Sequence, residues 1–108
     1  MILQNVEAMA AVLLPEARIW VRKSSEALDS EIMQTIEAAF LDLSIAGIKN
    51  IDTGDALIKQ AVKLYLKAQF GFNEESAKYE VAYEHVKAAM SLCSDYTTSK
   101  VAGGTDDG

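Results

Sequence analysis

The side chains in this chain that could do chemistry are few. His85 is the only histidine, at a helical position beside Tyr83 and Val86, and a catalytic role would need a nucleophile or a carboxylate at a fixed spacing from it. None is placed there, so it reads as a surface or edge histidine. A di-iron bundle would need Glu-x-x-His on two helices, but the residue three before His85 is Ala82 and no second histidine exists. Cys93 is the only cysteine, which rules out an intrachain disulfide, a zinc knuckle and a CxxC redox pair. It falls one turn beyond Met90 with no neighbouring cation in sequence, and reads as a small buried hydrophobe of a protein made in a reducing cytoplasm. Asp52-Thr53-Gly54-Asp55 has the oxygens of a calcium loop, but such a loop runs for about twelve residues and closes on a bidentate glutamate, and Lys63 stands at that position. Helix capping accounts for these aspartates better. There is no GxxxxGK[ST] and no GxGxxG, and Gly103-Gly104 has no strand or helix around it to aim amides at a phosphate. No catalytic, metal or cofactor-binding residue is assigned, and no cofactor is expected.

Binding chemistry is better represented. Lys59, Lys63 and Lys67 line up over three helical turns, facing either nucleic acid or solvent, with Asp55 and neighbouring acids as partners. Arg18, Arg22 and Lys23 around Trp20 are the densest basic cluster; an aromatic flanked by cations suits docking to a protein or nucleic-acid strand, or else Trp20 packs into the core and its cations are solvated. Sixteen acidic residues against ten basic ones give a formal net charge of −6. That balance disfavours a sequence-specific reader of duplex DNA, which needs a basic stripe for phosphate.

The elements that must position these groups are helices. With 108 residues, half apolar and a quarter charged, one compact core is accommodated and a second is not. Leu3, Val6, Met9 or Ala10, and Leu13 recur at helical spacing and predict a short first helix over 2–14, closed by Pro15. Interrupted by Gln4, Asn5 and Glu7, this segment has neither a signal peptide's positive start nor the length to span a bilayer. Residues 16–28 read as a short extended connector, because Arg18 to Arg22 alternates with period two, although Glu16-Ala17-Arg18 suits a helical turn equally well. A second helix begins between Ser25 and Asp29, carries Leu28, Ile32, Ile36, Phe40 and Leu43 on one stripe, and stops at Gly47. A third runs from about Asp55, capped by Asp52 or Thr53, to Phe70 and is apolar except along its lysine edge, which makes it the central helix. Asn73 caps a fourth, from Glu74 to about Leu92, burying Tyr79, Ala82, Tyr83, Val86 and Met90, with Glu74 and Lys78 spaced for an i,i+4 pair. The expected architecture is all-α: one helical domain over residues 1–93, built of three main helices and a short N-terminal one, followed by a mobile polar tail over 94–108.

Three segments in this order resemble the head–tail connector family of tailed bacteriophages, often labelled DNA-packaging proteins. They are Asp29-Ser30-Glu31-Ile32 opening a helix that ends Ile45-Ala46-Gly47-Ile48, then Asp55 to Val62, then Lys67-Ala68-Gln69-Phe70-Gly71; the last helix with Tyr79, Tyr83 and the close Ser91 to Tyr96 is similar to the family's ending. The resemblance covers roughly residues 28 to 96, and the apolar front of the chain departs from it. It implies a ring of identical subunits, commonly about twelve, seated beneath the portal protein of the virion neck. DNA would pass through the ring without sequence-specific binding and tail-completion proteins would attach below. No catalysis and no membrane are involved, and assembly would take place in the host cytoplasm.

Two other classes compete with that expectation. A small cytoplasmic regulator, a repressor or antitoxin-like helical module binding one protein partner or an operator, is disfavoured by the acidic balance and by the lack of a convincing helix-turn-helix. A small helical enzyme would need convergent polar groups, which none of the four helices supplies.

Overall fold

The computed structural model describes residues 6–21, 28–70 and 73–98, and the side chains of 73 and 74 are left aside. Among these residues the protein is all-α, with helices α1 (Val6–Val21), α2 (Asp29–Ile45), α3 (Ala56–Phe70), α4 (Asn73–Ser91) and a short α5 (Ser94–Thr97). The small helical bundle expected from the apolar spacing is therefore what forms.

Helix α2 buries Ile32, Ile36, Phe40 and Leu43 of the stripe anticipated from the spacing, together with Ala39, while Leu28 stands just before the helix and is partly buried. It starts at Asp29 without a side-chain cap; Ser25, the other candidate start, lies outside the described residues. It ends as Gly47 predicts. Gly47 takes a φ of +100°, its amide donates to the Ser44 carbonyl at 3.0 Å, and the Ile48 amide donates to the Leu43 carbonyl at 3.0 Å. These bonds satisfy two carbonyls orphaned by the helix end, and the buried pair Leu43 and Ile48 closes the turn on its apolar side.

Helix α3 is the centre of the bundle, packed against α1, α2 and α4. Ile58, Ala61, Val62, Leu64 and Leu66 are buried over an arc of about 200° at 100° per residue, the width a helix needs when three others cover it. Its cap is Asp55 rather than Asp52 or Thr53. One oxygen, Asp55 Oδ2, accepts the Leu57 and Ile58 amides at 3.0 and 3.1 Å, while Asp52 Oδ1 accepts the Gly54 amide at 2.8 Å and shapes the preceding turn. Helix α4 turns Tyr83 and Met90 into the core, with Tyr79, Ala82 and Val86 partly buried beside them. The Ser76 hydroxyl donates to the Ala68 carbonyl, one of the unpaired carbonyls at the end of α3, and so joins the two helices. The expected cap Asn73 and the partner Glu74 of Lys78 lie outside what is described of side chains.

Two boundaries differ from the expectation. The first helix does not stop at Pro15, and residues 16–21 of the expected connector are helical rather than extended; α1 runs through the proline and spans 16 residues, while residues 22–27 of that connector lie outside the described residues. A proline inside a helix removes one hydrogen bond and crowds the carbonyl four residues back, at about 3 kcal/mol. Ala17 and Val21 continue the buried face set by Ala10 and Leu13, and Arg18 reaches Asp29 at the start of α2, so tertiary contact outweighs the local penalty. Pro15 itself is exposed, so no core packing rests on it. Pro15→Ala is accordingly expected to stabilise the protein by about 1 to 2 kcal/mol, less than the generic penalty because alanine also frees the unfolded chain, read as a higher urea midpoint.

The second boundary is at the C-terminal side, where the tail expected from residue 94 begins instead with an ordered segment. Residues 94–97 form α5, which docks on the loop before α3. Composition does not reveal this, because the segment is held mostly through its own main-chain carbonyls, with the Tyr96 hydroxyl adding a side-chain tie to Asp55. The rest of the expected tail, residues 99–108, lies outside the described residues.

Candidate assembly surfaces

Helix α1 is apolar on two sides. Its inner face buries Ala10, Leu13, Ala17 and Val21. On the opposite side Ala8, Ala11, Val12, Pro15 and Ile19 are all exposed and fall within an arc of about 100° at 100° per residue. Val12 is 60% and Ile19 74% exposed. A helix apolar all round belongs in the middle of a structure, and a rimmed apolar stripe on a surface marks an interaction site. Glu7 and Arg18 border this stripe on one flank and Glu16 on the other.

Further apolar surface is left on the outer sides of α2 and α4. Leu41 and Ile45 lie one turn apart on α2, 43% and 85% exposed. Along α4, Ala77, Val81 and Ala88 are exposed on one side, and Leu92 just beyond its end is exposed as well, with Glu84 and the solvent-facing His85 among them. Because α4 packs chiefly on α3, its far side has no cover among the described residues.

Of the basic cluster expected to dock a partner, Arg18 is engaged within the chain. Its guanidinium donates to both oxygens of Asp29, with Nε to Oδ1 at 2.9 Å, and this hydrogen-bonded cation holds the Asp29 carboxyl below the ordinary range. Trp20 is half-buried and packs against the core. Arg22 and Lys23 lie outside the described residues. The lysine row is a ridge between α1 and α4: Lys59 pairs with Glu16 of α1 at 3.4 Å, and Lys67 sits over the Tyr79 ring of α4 at 5.4 Å from its centroid. Lys63, between them, has no ion pair among the described residues and is half-exposed.

A polar clasp between α2 and α4 was not foreseen. Asp42 Oδ2 accepts the Tyr83 hydroxyl at 2.5 Å and the Lys87 ammonium at 2.8 Å, and Lys87 also reaches Glu84 at 3.2 Å. Tyr83 stacks edge-on against Tyr65 of α3, centroids 5.1 Å apart, and Lys87 lies 5.1 Å from the Tyr83 centroid. Burial opposes ionisation of Asp42, but the hydrogen bonds from Lys87 and Tyr83 and the Lys87 charge outweigh it and hold the carboxyl below its ordinary value. Burial first, then the hydrogen bond to Asp42, pushes the Tyr83 phenol far above its ordinary range. A signal existed in the sequence. Asp42 stands in the last turn of α2, the negative end of the helix dipole, where an acid is unfavourable without a cationic partner.

The second tie closes the C-terminal end. The Tyr96 carbonyl accepts the Lys49 and Asn50 amides at 2.7 and 3.1 Å, and Asn50 Nδ2 donates to the Asp95 and Thr98 carbonyls at 2.7 and 2.6 Å. The Tyr96 hydroxyl donates at 2.9 Å to Asp55 Oδ2, the same oxygen that caps α3. Cys93, expected as a buried hydrophobe, is half-buried at the corner between α4 and α5, where its carbonyl accepts the Tyr96 amide at 3.0 Å. An open recess of about 500 Å³ at this junction is bordered by Asp52, Asp55 and Asp95. Asp52 and Asp55 are already spent on turn and cap, and no group of ligands suited to a metal occurs among the described residues.

The features that stand out are thus surfaces and ties between helices: a small helical bundle with apolar faces left over, the make-up of an assembly subunit. Residues 17–97 match the model of the phage connector protein family, and the chain belongs to that family. The matched span starts inside α1 and takes in α2, α3, α4 and α5. No curated protein and no solved structure matches the chain. As a phage connector it is a structural component of the virion, and no helix among the described residues is long and apolar enough to cross a membrane.

Proposed function

We propose that the protein is a non-catalytic subunit of the head–tail connector, present in identical copies that form a ring beneath the portal. DNA passes through this ring and tail-completion proteins attach to its lower side. The observation that carries the reading is the family match, which extends through nearly the whole bundle. The surface supports it. Head-to-tail contacts in a ring use two different patches of each subunit, and α2 offers Leu41 and Ile45 while α4 offers Val81 and Leu92. The excess of acidic residues suits a passage that does not grip the DNA backbone. Assembly takes place in the host cytoplasm before the subunit becomes part of the neck.

The test is uptake by portal-containing heads that lack the connector. Purified protein is expected to co-sediment with such heads to a fixed stoichiometry, and a double substitution Ile45→Glu with Leu92→Glu, both at well-exposed positions, is expected to abolish that uptake without unfolding the subunit. Wild-type protein left in the supernatant at saturating concentration would overturn the reading, whatever its own state of association.

A further inference from the structure

The outward stripe of α1 needs an explanation other than membership of the family. Ala8, Val12 and Pro15 all precede residue 17, where the family match begins, and only Ile19 lies within it. We propose that this face is covered, in the free protein, by the same face of a second copy, the two α1 helices running antiparallel about a two-fold axis.

The stripe is complementary to itself in that orientation. With the axis between Leu13 and Leu14, Ala8 of one copy lies opposite Ile19 of the other, and Val12 opposite Pro15. Each large exposed side chain then meets a smaller or flatter one, which is how two ridges interdigitate without leaving voids. The flanks agree. Glu7 and Arg18 lie on the same side of the stripe at its two ends, and a two-fold axis crossing the interface keeps each flank on its own side while reversing direction. Glu7 of one copy therefore comes within two residues, about 3 Å along the axis, of the level of Arg18 of the other, and this happens twice. A parallel pair, whose two-fold axis runs along the helices, would exchange the flanks: Arg18 would come level with Glu16, which Lys59 already holds, and no cation would face Glu7. In the antiparallel pair Arg18 keeps its pairing with Asp29, and Glu7 of the second copy adds a charge attraction at that level that needs no donor to be released. On the opposite flank Glu16 is held by Lys59 of its own chain.

Such a contact is isologous and closes at two subunits, unlike the head-to-tail contact of a ring. It does not rest on the connector reading, which invokes α2 and α4.

Two measurements test it. In a light-scattering or sedimentation series the wild-type protein is expected to show a two-subunit mass at the higher concentrations, and Val12→Asp or Ile19→Glu to halve it; both positions are exposed, and circular dichroism checks that the variants keep their helix content. In a Cys93→Ser background, Ala8→Cys combined with Ile19→Cys is expected to cross-link copies under mild oxidation, while Ala8→Cys alone is not. The two Ala8 positions would sit about 16 Å apart along the helices, beyond disulfide reach. A monomer throughout the series, a mass unchanged by Val12→Asp, or cross-linking through Ala8→Cys alone would each overturn the proposal. If the protein forms larger assemblies, the cross-linking pattern decides by the same criteria.

Discussion

Replacing Phe40 by alanine is expected to lower the stability of the folded protein by about 3 to 5 kcal/mol, the range for emptying a large aromatic site in a packed core. Phe40 is the largest of the fully buried side chains and sits in the middle of α2. Its neighbours on the buried face, Ile36, Ala39 and Leu43, belong to a helix fixed at its N-terminal end by the Arg18 pairing and at its far end by the Gly47 turn. They can shift little to fill the space. A single domain of this size has a stability of roughly 5 to 15 kcal/mol, so the loss consumes much of the whole. Urea unfolding followed by circular dichroism would read it as a large drop in the midpoint with little change in slope. A loss under about 1 kcal/mol would show that the α2 face collapses freely, contrary to the packing described.

The second large effect concerns the clasp. Asp42→Ala removes the acceptor of both the Tyr83 hydroxyl and the Lys87 ammonium and leaves a phenol that is only 3% exposed without that partner. The expected loss is about 1.5 to 3 kcal/mol, the range for hydrogen bonds to a charged group together with the cost of an orphaned donor. Tyr83→Phe, which takes away the donor instead of stranding it, is expected to cost less. The pH dependence has a definite sign. Asp42 has a folded pKa below its ordinary value of 3.8, so its contribution is complete above that value and is lost as the pH falls through the lower, folded one. Tyr83 and Lys87 are both raised, so their contributions are present below the ordinary values of 10.0 and 10.5 and are lost as the pH rises through the folded ones. Stability measured against pH should therefore fall at both ends, and Asp42→Ala should flatten both limbs. Unaltered acid and alkaline limbs in that variant would show that the clasp contributes no linkage.

Those residues also show where the sequence could be read and where it could not. The stripes of α2, α3 and α4 and the stop at Gly47 were legible because they follow from local spacing and one backbone requirement. Helix α1 was misjudged at Pro15 because a propensity rule was weighed without the burial of Ala17 and Val21 and the Arg18 to Asp29 pairing, none of which is local. Residues 94–98 were read as tail because their composition is polar, yet Asn50 and the Lys49 amide hold them through main-chain carbonyls, which leave no mark on composition. The clasp was legible only in part. Tyr83 and Lys87 are spaced i,i+4 on α4, but that they share Asp42 depends on how α2 lies against α4. Of the candidate surfaces, the sequence singled out the cations around Trp20, whereas the apolar outer side of α1 came into view only once the helix was known to continue past Pro15.

The arrangement of ties sets an order of events in time. Helices next to one another in sequence pack together, α1 on α2, α2 on α3 and α3 on α4, and pairs of that kind form quickly because little chain must be closed. The bonds from Tyr83 to Asp42 and from Tyr96 to Asp55 each span 41 residues. They form only after the helical hairpins have brought their ends together, and so they come last. Helix α5, with no buried residue of its own, is then the first element to let go. The amide protons of Lys49 and Asn50, held by the Tyr96 carbonyl, report that release, and their exchange with solvent should run ahead of the amides inside α2 and α3.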